Sequence, residues 1–360
     1  MGIARTATWV TLPVRWVSVG TACSRVPAAM LMGRFGRKPG FLFAACYACA
    51  AALVAAWAIS MENFWLFCFA TFLVGSHHAF VQQYRFAVAE SVPAERVGPS
   101  LSILMVAGVA AAWMGPETAK RLHDWLPWGE FAGSFVGLSL FMAGVFVLLC
   151  FYPGGRGETV VHEEPERPLS AIVLQPLFML AVGAAVAGYA VMSFVMTATP
   201  VSMHTVDHFS LDDTTWVIQS HIIAMYLPSL FSGFLIARFG PRNIIAAGLV
   251  LLAICLAVAF SDRQLMNYWW ALVLLGVGWN FLFLGGTTLL TQTHRPSERF
   301  KAQAVNDFMI FGLQAIAALS SGLILHSLGW QGIVGLSVPW LLLLLVILWM
   351  AGPRPVEVGV

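Results

Sequence analysis

The first candidates for chemistry in this chain are ionisable and amide side chains that interrupt long apolar runs. Such groups are costly in lipid, and inside a membrane segment they mark substrate, ion or proton pathways by default. His78, Gln82 and Arg85 recur at helical spacing, so we expect one polar face that turns to a cavity. Arg85 could bind an anionic group of a substrate or pair with a carboxylate. Alternatively, it is an interfacial arginine that snorkels to the membrane surface.

Three residues of the second half pose the same choice between function and structure. Gln219 and His221 lie part-way along one apolar run, where a buried histidine can change protonation near neutral pH or bond to a neighbouring helix. Asn280 lies in the middle of another run and should face a cavity or a partner helix, because an unpaired amide is costly in lipid.

Two carboxylates could carry a proton. Asp307 lies near the start of an apolar run and could be a proton site or the partner of Arg85; alternatively, it caps the N-terminus of a helix. Glu117 is the other candidate, but Lys120 and Arg121 beside it favour a surface ion pair.

Motifs of enzymes and metal sites are missing from the sequence. It contains no G-x-x-x-x-G-K, no H-E-x-x-H and no G-x-S-x-G. The group around His204, Asp207 and His208 could hold a metal, but it lacks the ligand spacing of a zinc site. Cys46-x-x-Cys49 lies within an apolar run, where small side chains serve helix packing. We therefore expect neither an enzyme nor a bound cofactor or metal.

The composition indicates an integral membrane protein. Hydrophobic residues make up 59% and charged residues 10% of the 360 residues, and the mean hydropathy is +0.81. A soluble domain carries roughly a quarter charged residues. The net charge of +2 is spread over short loops, so a nucleic-acid partner is not expected.

The apolar runs are long enough for membrane-spanning helices, which need about 20 residues. We count roughly eleven runs, near 10–32, 41–60, 64–88, 100–119, 131–152, 176–199, 214–236, 243–261, 268–291, 302–325 and 332–352. The polar stretch 154–170 predicts a linker between an N-terminal bundle, 1–153, and a C-terminal bundle, 171–360.

Lysine and arginine accumulate in alternate loops, which defines the predicted cytoplasmic side. These loops contain Arg34, Arg37, Lys38, Arg96, Arg156, Arg167, Arg238, Arg242, Arg295, Arg299, Lys301 and Arg354. The opposite loops are mostly acidic. We therefore expect the C-terminus in the cytoplasm.

One pattern occurs twice. Arg34 and Gly36 return as Arg238 and Gly240, 204 residues later, and the Pro-x-Glu-Arg motif at 93–96 returns at 296–299 after 203 residues. Parallel repeats of this kind are typical of one transporter architecture. The offset places the counterpart of the run at 176–199 upstream of Met1. We therefore expect five helices plus six out of six plus six, with the first helix missing through a start-site error or a truncated gene.

The first copy resembles the loop motif of the major facilitator superfamily, G-x-L-a-D-R-x-G-R-R/K. Leu31, Arg34, Gly36, Arg37 and Lys38 match this motif. Ala29 and Gly33 stand where the family has glycine and aspartate, and the second copy has Ala237 in place of the aspartate.

In the family, the loop takes part in a cytoplasmic charge relay. The resemblance therefore implies structural or gating roles for Arg34, Gly36, Arg37, Arg238, Gly240 and Arg242. Loss of the aspartate in both copies puts the usual form of the relay in doubt. A second stretch, from Gly108 to Gly115-Pro116, resembles a fifth-helix motif that is common among exporters working by proton antiport.

The resemblance implies an all-α polytopic membrane protein with two pseudo-symmetric helix bundles. We expect a secondary transporter in the bacterial cytoplasmic membrane, a monomer that moves a small organic solute by alternating access with protons, with export favoured. Uptake of a nutrient or a metal chelate is one alternative. A non-transporting or truncated membrane protein is the other.

Overall fold

The computed structural model describes residues 12–154 and 167–352, and these residues form helices joined by short turns, with no strand among them. Helices are expected because backbone polar groups in lipid must be bonded within their own segment. The predicted linker lies largely outside the described residues, as do both chain ends.

Six helices form the first part of the chain. They are α1 Leu12–Phe35, α2 Arg37–Ser60, α3 Phe64–Val81, α4 Tyr84–Glu90, α5 Val97–Leu122 and α6 Ala132–Cys150. A 3₁₀ turn, Ala94–Arg96, precedes α5.

Seven helices follow. They are α7 Leu169–Val173, α8 Pro176–Val201, α9 Leu211–Tyr226, α10 Ser229–Phe239, α11 Pro241–Ser261, α12 Leu265–Leu290 and α13 Arg299–Met350. A π-helical turn, Ser202–Val206, extends α8, and a 3₁₀ turn, Pro296–Glu298, precedes α13.

All eleven predicted runs coincide with helical segments. The run at 64–88 comprises α3 and α4, and the run at 214–236 comprises α9 and α10. The last two runs lie in α13, which is interrupted at Gly329 by a left-handed backbone (φ 66°) that glycine adopts easily. Among the described residues, nine helical stretches are long and apolar enough to cross a membrane, and one of these, Pro296–Met350, contains both of the last runs.

The described chain forms two compact units. The first comprises 12–91, 110–154 and the short segment Gln303–Phe308 from the start of α13. The second comprises Val92–Val109, 167–302 and 309–352, so α5 contributes to both units.

The first unit packs α1 against α3 at very close range. A Cβ atom added at Gly20 of α1 would lie 2.1 Å from the carbonyl oxygen of Phe72. One added at Gly75 of α3 would lie 2.1 Å from the carbonyl oxygen of Val17. These two helices therefore touch backbone to backbone, as small residues permit in membrane proteins.

The second unit is built around α12, which packs against α8, α9 and α11. Glycines again mark the closest contacts: a Cβ at Gly276 would meet Ala224 of α9, and one at Gly286 would meet the carbonyl oxygen of Ala181 of α8. Because α12 is surrounded in this way, its second half, from Gly278 to Leu290, is buried throughout.

The two copies of the repeated loop have the same backbone. Gly36 has φ 88° and ψ 164°, and Gly240 has φ 81° and ψ 154°. Each glycine N–H donates to a carbonyl four residues earlier, Met32 at 2.9 Å and Ile236 at 2.8 Å. A positive φ explains why both copies need glycine here.

The Pro-x-Glu-Arg copies, by contrast, differ in burial. Glu95 is exposed, whereas Glu298 is fully buried. The Glu298 carboxylate accepts from the Arg167 Nε at 2.8 Å and Nη2 at 2.6 Å, and from two backbone N–H groups, those of Arg167 and Arg295, at 3.0 Å each. We call these contacts the Arg167–Glu298 clamp; it fixes the chain before α7 to the turn before α13.

Candidate functional site

A buried ion pair in the first unit joins α4 to the segment Gln303–Phe308. The Arg85 guanidinium donates to Asp307, and the two side chains are 4% and 1% exposed. Gln83 Nε2 donates to the other Asp307 oxygen at 2.8 Å, and Asn306 Nδ2 donates to the carboxylate at 3.0 Å. The aspartate is thus held by three side chains in a site shielded from solvent.

A second ion pair, between the buried Arg37 and the half-buried Glu90, lies beside the first. Arg37 donates from Nε to Glu90 Oε2 at 2.7 Å and from Nη2 to Oε1 at 2.5 Å, in a two-point contact that suits a guanidinium and a carboxylate. Gln303 accepts from Arg37 Nη2 at 2.6 Å and donates to Glu90 at 2.9 Å.

Gln83 connects the two pairs. Its carbonyl oxygen accepts from Arg37 Nη1 at 3.4 Å, while its amide nitrogen donates to Asp307. The resulting polar network consists of Arg37, Gln83, Arg85, Glu90, Gln303, Asn306 and Asp307. It contains two arginines and two carboxylates, so its charges balance, as burial requires.

Local structure explains why these side chains converge. The helix breaks after Val81, and α4 restarts at Tyr84. This turn aims Gln83 and Arg85 inward. Gln303 and Asp307 are four residues apart on α13 and therefore share one face.

The ion pair between Arg85 and Asp307 depends on the charge of both side chains. Protonation of Asp307 would remove the charge that pairs with Arg85, and a buried guanidinium that loses its counter-ion is strongly destabilised. Loss of either charge would therefore disrupt the pair.

A second polar cluster lies in the second unit and is centred on Asn280. Asn280 accepts from Ser232 Oγ at 2.7 Å and donates to Ser229 Oγ at 2.7 Å and to the Met225 carbonyl at 2.8 Å. These bonds secure the break between α9 and α10 against α12. Asn280 thus faces a partner helix, the second of the two environments expected for it.

His221 is fully buried on α9. Its Nδ1 donates to the Leu272 carbonyl at 2.8 Å, and its Nε2 has no partner among the described residues. Gln219, two residues earlier, is exposed, so the structure does not bring these two predicted residues together.

Aromatic rings fill the centre of the second unit. Tyr189 of α8 contacts Trp279, Phe283 and Phe311 edge to face, with ring centroids 5.2 to 5.4 Å apart. Trp279 stacks on Phe283 at 5.2 Å, and Tyr226 contacts Trp279 edge to face at 6.1 Å. We refer to these five residues as the ring cluster.

The remaining predicted residues lie at the surface or at helix ends. Glu117 forms an exposed ion pair with Arg121 at 2.7 Å, the surface alternative expected for it. Arg34 and Arg238 are exposed in the last turns of α1 and α10, and each guanidinium lies over the following phenylalanine ring. Arg242 donates to the Leu348 carbonyl at 2.8 Å.

Three expectations about geometry need correction. Asp307 does not cap a helix, because α13 begins at Arg299 and Asp307 lies in its third turn. His78, Gln82 and Arg85 do not share one face: His78 is exposed and contacts Gln82 at 3.3 Å, whereas Arg85 is buried. The helix break after Val81 changes the register between them.

The third correction concerns Arg37. It was expected in a loop at the membrane surface, but it is the first residue of α2 and is 2% exposed. Gln83, Glu90 and Gln303 were not among the predicted site residues. Their only sequence signal is an amide or acid within an apolar helix, and Gln303 lies 266 residues from its partner Arg37.

Similarity to known proteins identifies the family. Residues 184–360 match the profile described as Major Facilitator Superfamily, and residues 3–82 match the one described as Sugar (and other) transporter. The chain is 40% identical over 345 residues to the riboflavin transporter RfnT of Brucella anthropi, covering 94% of this chain and 85% of that protein. The chain belongs to the major facilitator superfamily. The MFS-type transporter YddS of Bacillus subtilis, described as uncharacterized, is 30% identical, with coverage of 89% and 79%.

Solved structures of the superfamily share the fold. The Escherichia coli fucose:proton symporter FucP matches with a TM-score of 0.73 at 14% identity, covering 97% of this chain and 92% of that one. A bacterial homologue of the iron transporter ferroportin matches with a TM-score of 0.75 at 16% identity and the same coverage. These matches confirm the predicted all-helical transporter fold.

Membership in the superfamily confirms the predicted class: a multi-pass membrane transporter of the secondary type that acts on a small molecule, not an enzyme. Both copies of the repeated loop lack an acidic residue that the superfamily's usual loop contains. Gly33 and Ala237 stand where the family has an aspartate. In this chain the carboxylate that pairs with Arg37 is Glu90, at the end of α4.

Proposed function

We propose that this protein transports riboflavin, or a solute of the same planar heterocyclic kind, across the bacterial cytoplasmic membrane in exchange for or together with protons. The observation that carries the substrate is the 40% identity to a riboflavin transporter over 94% of the chain. The similarity extends over both predicted bundles rather than one shared helix pair.

Proton coupling is supported by the buried network of the first unit. Asp307 is 1% exposed and lies against Arg85, so its charge state decides whether that pair exists. A carboxylate in such a position can take up a proton as the arginine is released. We assign Asp307 as the proton site and Arg85 as its counter-ion, with Gln83 linking it to Arg37 and Glu90.

Uptake is the primary direction that we propose. One relative that is similar along 94% of the chain is named a riboflavin transporter, whereas the drug efflux pump JefA of Mycobacterium tuberculosis matches only 43% of this chain, at 25% identity. Export is the second candidate, and the partial fifth-helix motif from Gly108 to Pro116 favours it.

The remaining expectations are retained within this proposal. The protein acts as a monomer with its C-terminus in the cytoplasm, and the bundles 1–153 and 171–360 carry the two pseudo-symmetric halves. The predicted pathway residues within helices or at the break after α3 stay predictions: His78, Gln82, Gln219, His221 and Asn280.

A proteoliposome assay tests the proposal. Purified protein is reconstituted, a pH gradient is imposed, and riboflavin movement is followed by its fluorescence. We expect flux in the direction set by the gradient and loss of that bias when a protonophore is added. Absence of riboflavin flux overturns the substrate; flux that ignores the gradient overturns proton coupling. The sign of the bias distinguishes uptake from export.

The variant Asp307→Asn sharpens the same assay. If Asp307 carries the proton, the variant should still exchange riboflavin across the membrane but should no longer respond to the gradient. Wild-type gradient dependence in this variant contradicts the assignment. Glu117→Gln is the matched control, since Glu117 is in an exposed ion pair.

A further inference from the structure

The buried indole N–H of Trp279 lacks an acceptor among the described residues. Trp279 of α12 is 2% exposed, and its Nε1 has no hydrogen-bond partner among the described residues. Leaving a buried donor unpaired is unfavourable, because the group loses its bond to water on folding. Such exceptions call for an explanation, for example a partner that arrives only in another state of the protein.

Other tryptophans of the second unit behave differently. Trp330 is as deeply buried, at 3% exposed, and donates to the Ala259 carbonyl at 2.8 Å. Trp269, also on α12, donates to Ser220 Oγ at 2.9 Å. The unpaired donor is therefore specific to Trp279 among these three residues.

The surroundings of Trp279 fit a flat ring. Trp279 and Phe283 are stacked with an interplanar angle of 11°, while Tyr189 and Tyr226 meet the indole edge to face. Aromatic faces of this kind bind planar π-systems through offset stacking, beyond the area that they bury.

Tyr226 is the one residue of the ring cluster that is not fully buried. It is half-buried, whereas Trp279 behind it is buried. Its ring lies over Gly108 of α5, where an added Cβ would come within 2.8 Å of two ring carbons. Gly108 thus leaves the space that the Tyr226 ring occupies.

We propose that the ring cluster is the recognition site for the planar part of the substrate, and that Trp279 Nε1 donates a hydrogen bond to a ring carbonyl of that substrate. The inference rests on the proposed function, because riboflavin supplies both a flat tricyclic ring and carbonyl acceptors on its edge. Trp279 and Phe283 offer a stacking face, and Tyr226 is the half-buried rim.

The test compares two buried tryptophans. Trp279→Phe keeps an aromatic ring but removes the donor, and Trp330→Phe makes the same change in size at a residue whose donor is already bonded within the protein. Riboflavin transport in proteoliposomes gives KM, fluorescence quenching of riboflavin by purified protein gives Kd, and thermal unfolding gives Tm.

If the proposal holds, Trp279→Phe raises KM and Kd for riboflavin about tenfold, the loss expected for one hydrogen bond. Trp330→Phe should leave both constants unchanged and should lower Tm more than Trp279→Phe does, because only Trp330 loses a bond within the protein. A structural role for Trp279 would not produce this split between affinity and stability.

Each remaining outcome decides the question. Unchanged KM and Kd in Trp279→Phe, with riboflavin transported by the wild type, overturns the role of Trp279 and leaves the proposed function intact. Failure of the wild type to bind and move riboflavin overturns both. If Trp279→Phe does not reach the membrane, Tyr226→Leu replaces it: a raised Kd supports the ring cluster as the site, and an unchanged Kd overturns it.

Discussion

Arg85 and Asp307 form the pair on which the proposed mechanism depends. Both are more than nine-tenths buried, and removal of one partner from such a pair typically costs about 3–5 kcal/mol because the other charge remains buried. The same pair is therefore a structural element and a candidate switch. Experiments on it must measure transport and stability separately.

Arg85→Ala should abolish transport while the protein still reaches the membrane, since Asp307 loses its counter-ion. Uptake of riboflavin normalised to membrane protein level is the measurement. Arg96→Ala, at an exposed arginine in the turn before α5, should transport like the wild type. Normal uptake by Arg85→Ala would mean that the buried pair has no role in transport.

The stability of the pair can be isolated by a double-mutant cycle. Arg85→Gln and Asp307→Asn should each lower the free energy of unfolding by about 3–5 kcal/mol, and the double variant should lose clearly less than their sum. Chemical denaturation of the purified protein measures all three. Strict additivity would mean that the two side chains do not depend on each other.

The sequence identifies the charged residues of the network more readily than the contacts between residues that are far apart in the chain. Arg85 and Asp307 could each be selected because a charge inside an apolar run is unusual. Their contact was only one of several alternatives, since nothing in the sequence encodes a pairing over 222 residues. Gln303 and Glu90 were not predicted for the same reason, since their role depends on contacts with Arg37, which is distant in the sequence.

At the scale of helices, apolar runs predicted nearly every element, whereas breaks within helices were not predicted. The turn between α3 and α4 follows Phe80, Val81 and two glutamines, with neither proline nor glycine nearby. Without such a signal, one continuous helix was the natural expectation, and the register of Arg85 was wrong as a result.

The contact between α1 and α3 gives a prediction about glycine. Gly75→Ala should destabilise the protein by about 1–3 kcal/mol or more, because the new methyl group meets the carbonyl of Val17 rather than a flexible side chain. Gly144→Ala on α6 is the control: nothing lies within 4 Å of its added Cβ, and alanine favours a helix by about 0.5–1 kcal/mol. Thermal unfolding gives the Tm of both variants. Equal Tm values would contradict the close contact between α1 and α3.

The Arg167–Glu298 clamp gives a second prediction about elements. Glu298→Gln should weaken the attachment of α7, since the buried carboxylate accepts four hydrogen bonds from Arg167 and Arg295. Hydrogen exchange in α7 should then become faster. Glu95→Gln changes the repeated counterpart, which is exposed, and should leave exchange unaltered. If both variants behave alike, the clamp does not hold α7.

At the scale of the whole molecule, the internal repeat was the most informative sequence feature. It predicted equivalent turns at Gly36 and Gly240, and the two backbones agree in both dihedral angles and hydrogen bonds. It did not predict where the copies differ. Only Glu298, and not Glu95, has an arginine of the preceding segment beside it, so the repeat fixes the backbone better than the contacts.

Orientation in the membrane is testable for the entire chain. In a variant without native cysteines, Asp262→Cys should react with an impermeant thiol reagent added to intact cells, and Arg295→Cys should react only after the membrane is opened. The expectation follows from the excess of lysine and arginine on the cytoplasmic side. The reverse labelling pattern would invert the proposed topology.

The segment Gln303–Phe308 has a consequence for biosynthesis. A ribosome adds roughly 5–20 residues per second, so residues that are 222 positions apart are inserted into the membrane about 10–45 s apart. During that interval the first unit exists without the carboxylate of Asp307 and without Gln303. The first helices of this unit are therefore in the membrane before the unit is complete. The six residues Gln303–Phe308, which are synthesised late, complete it.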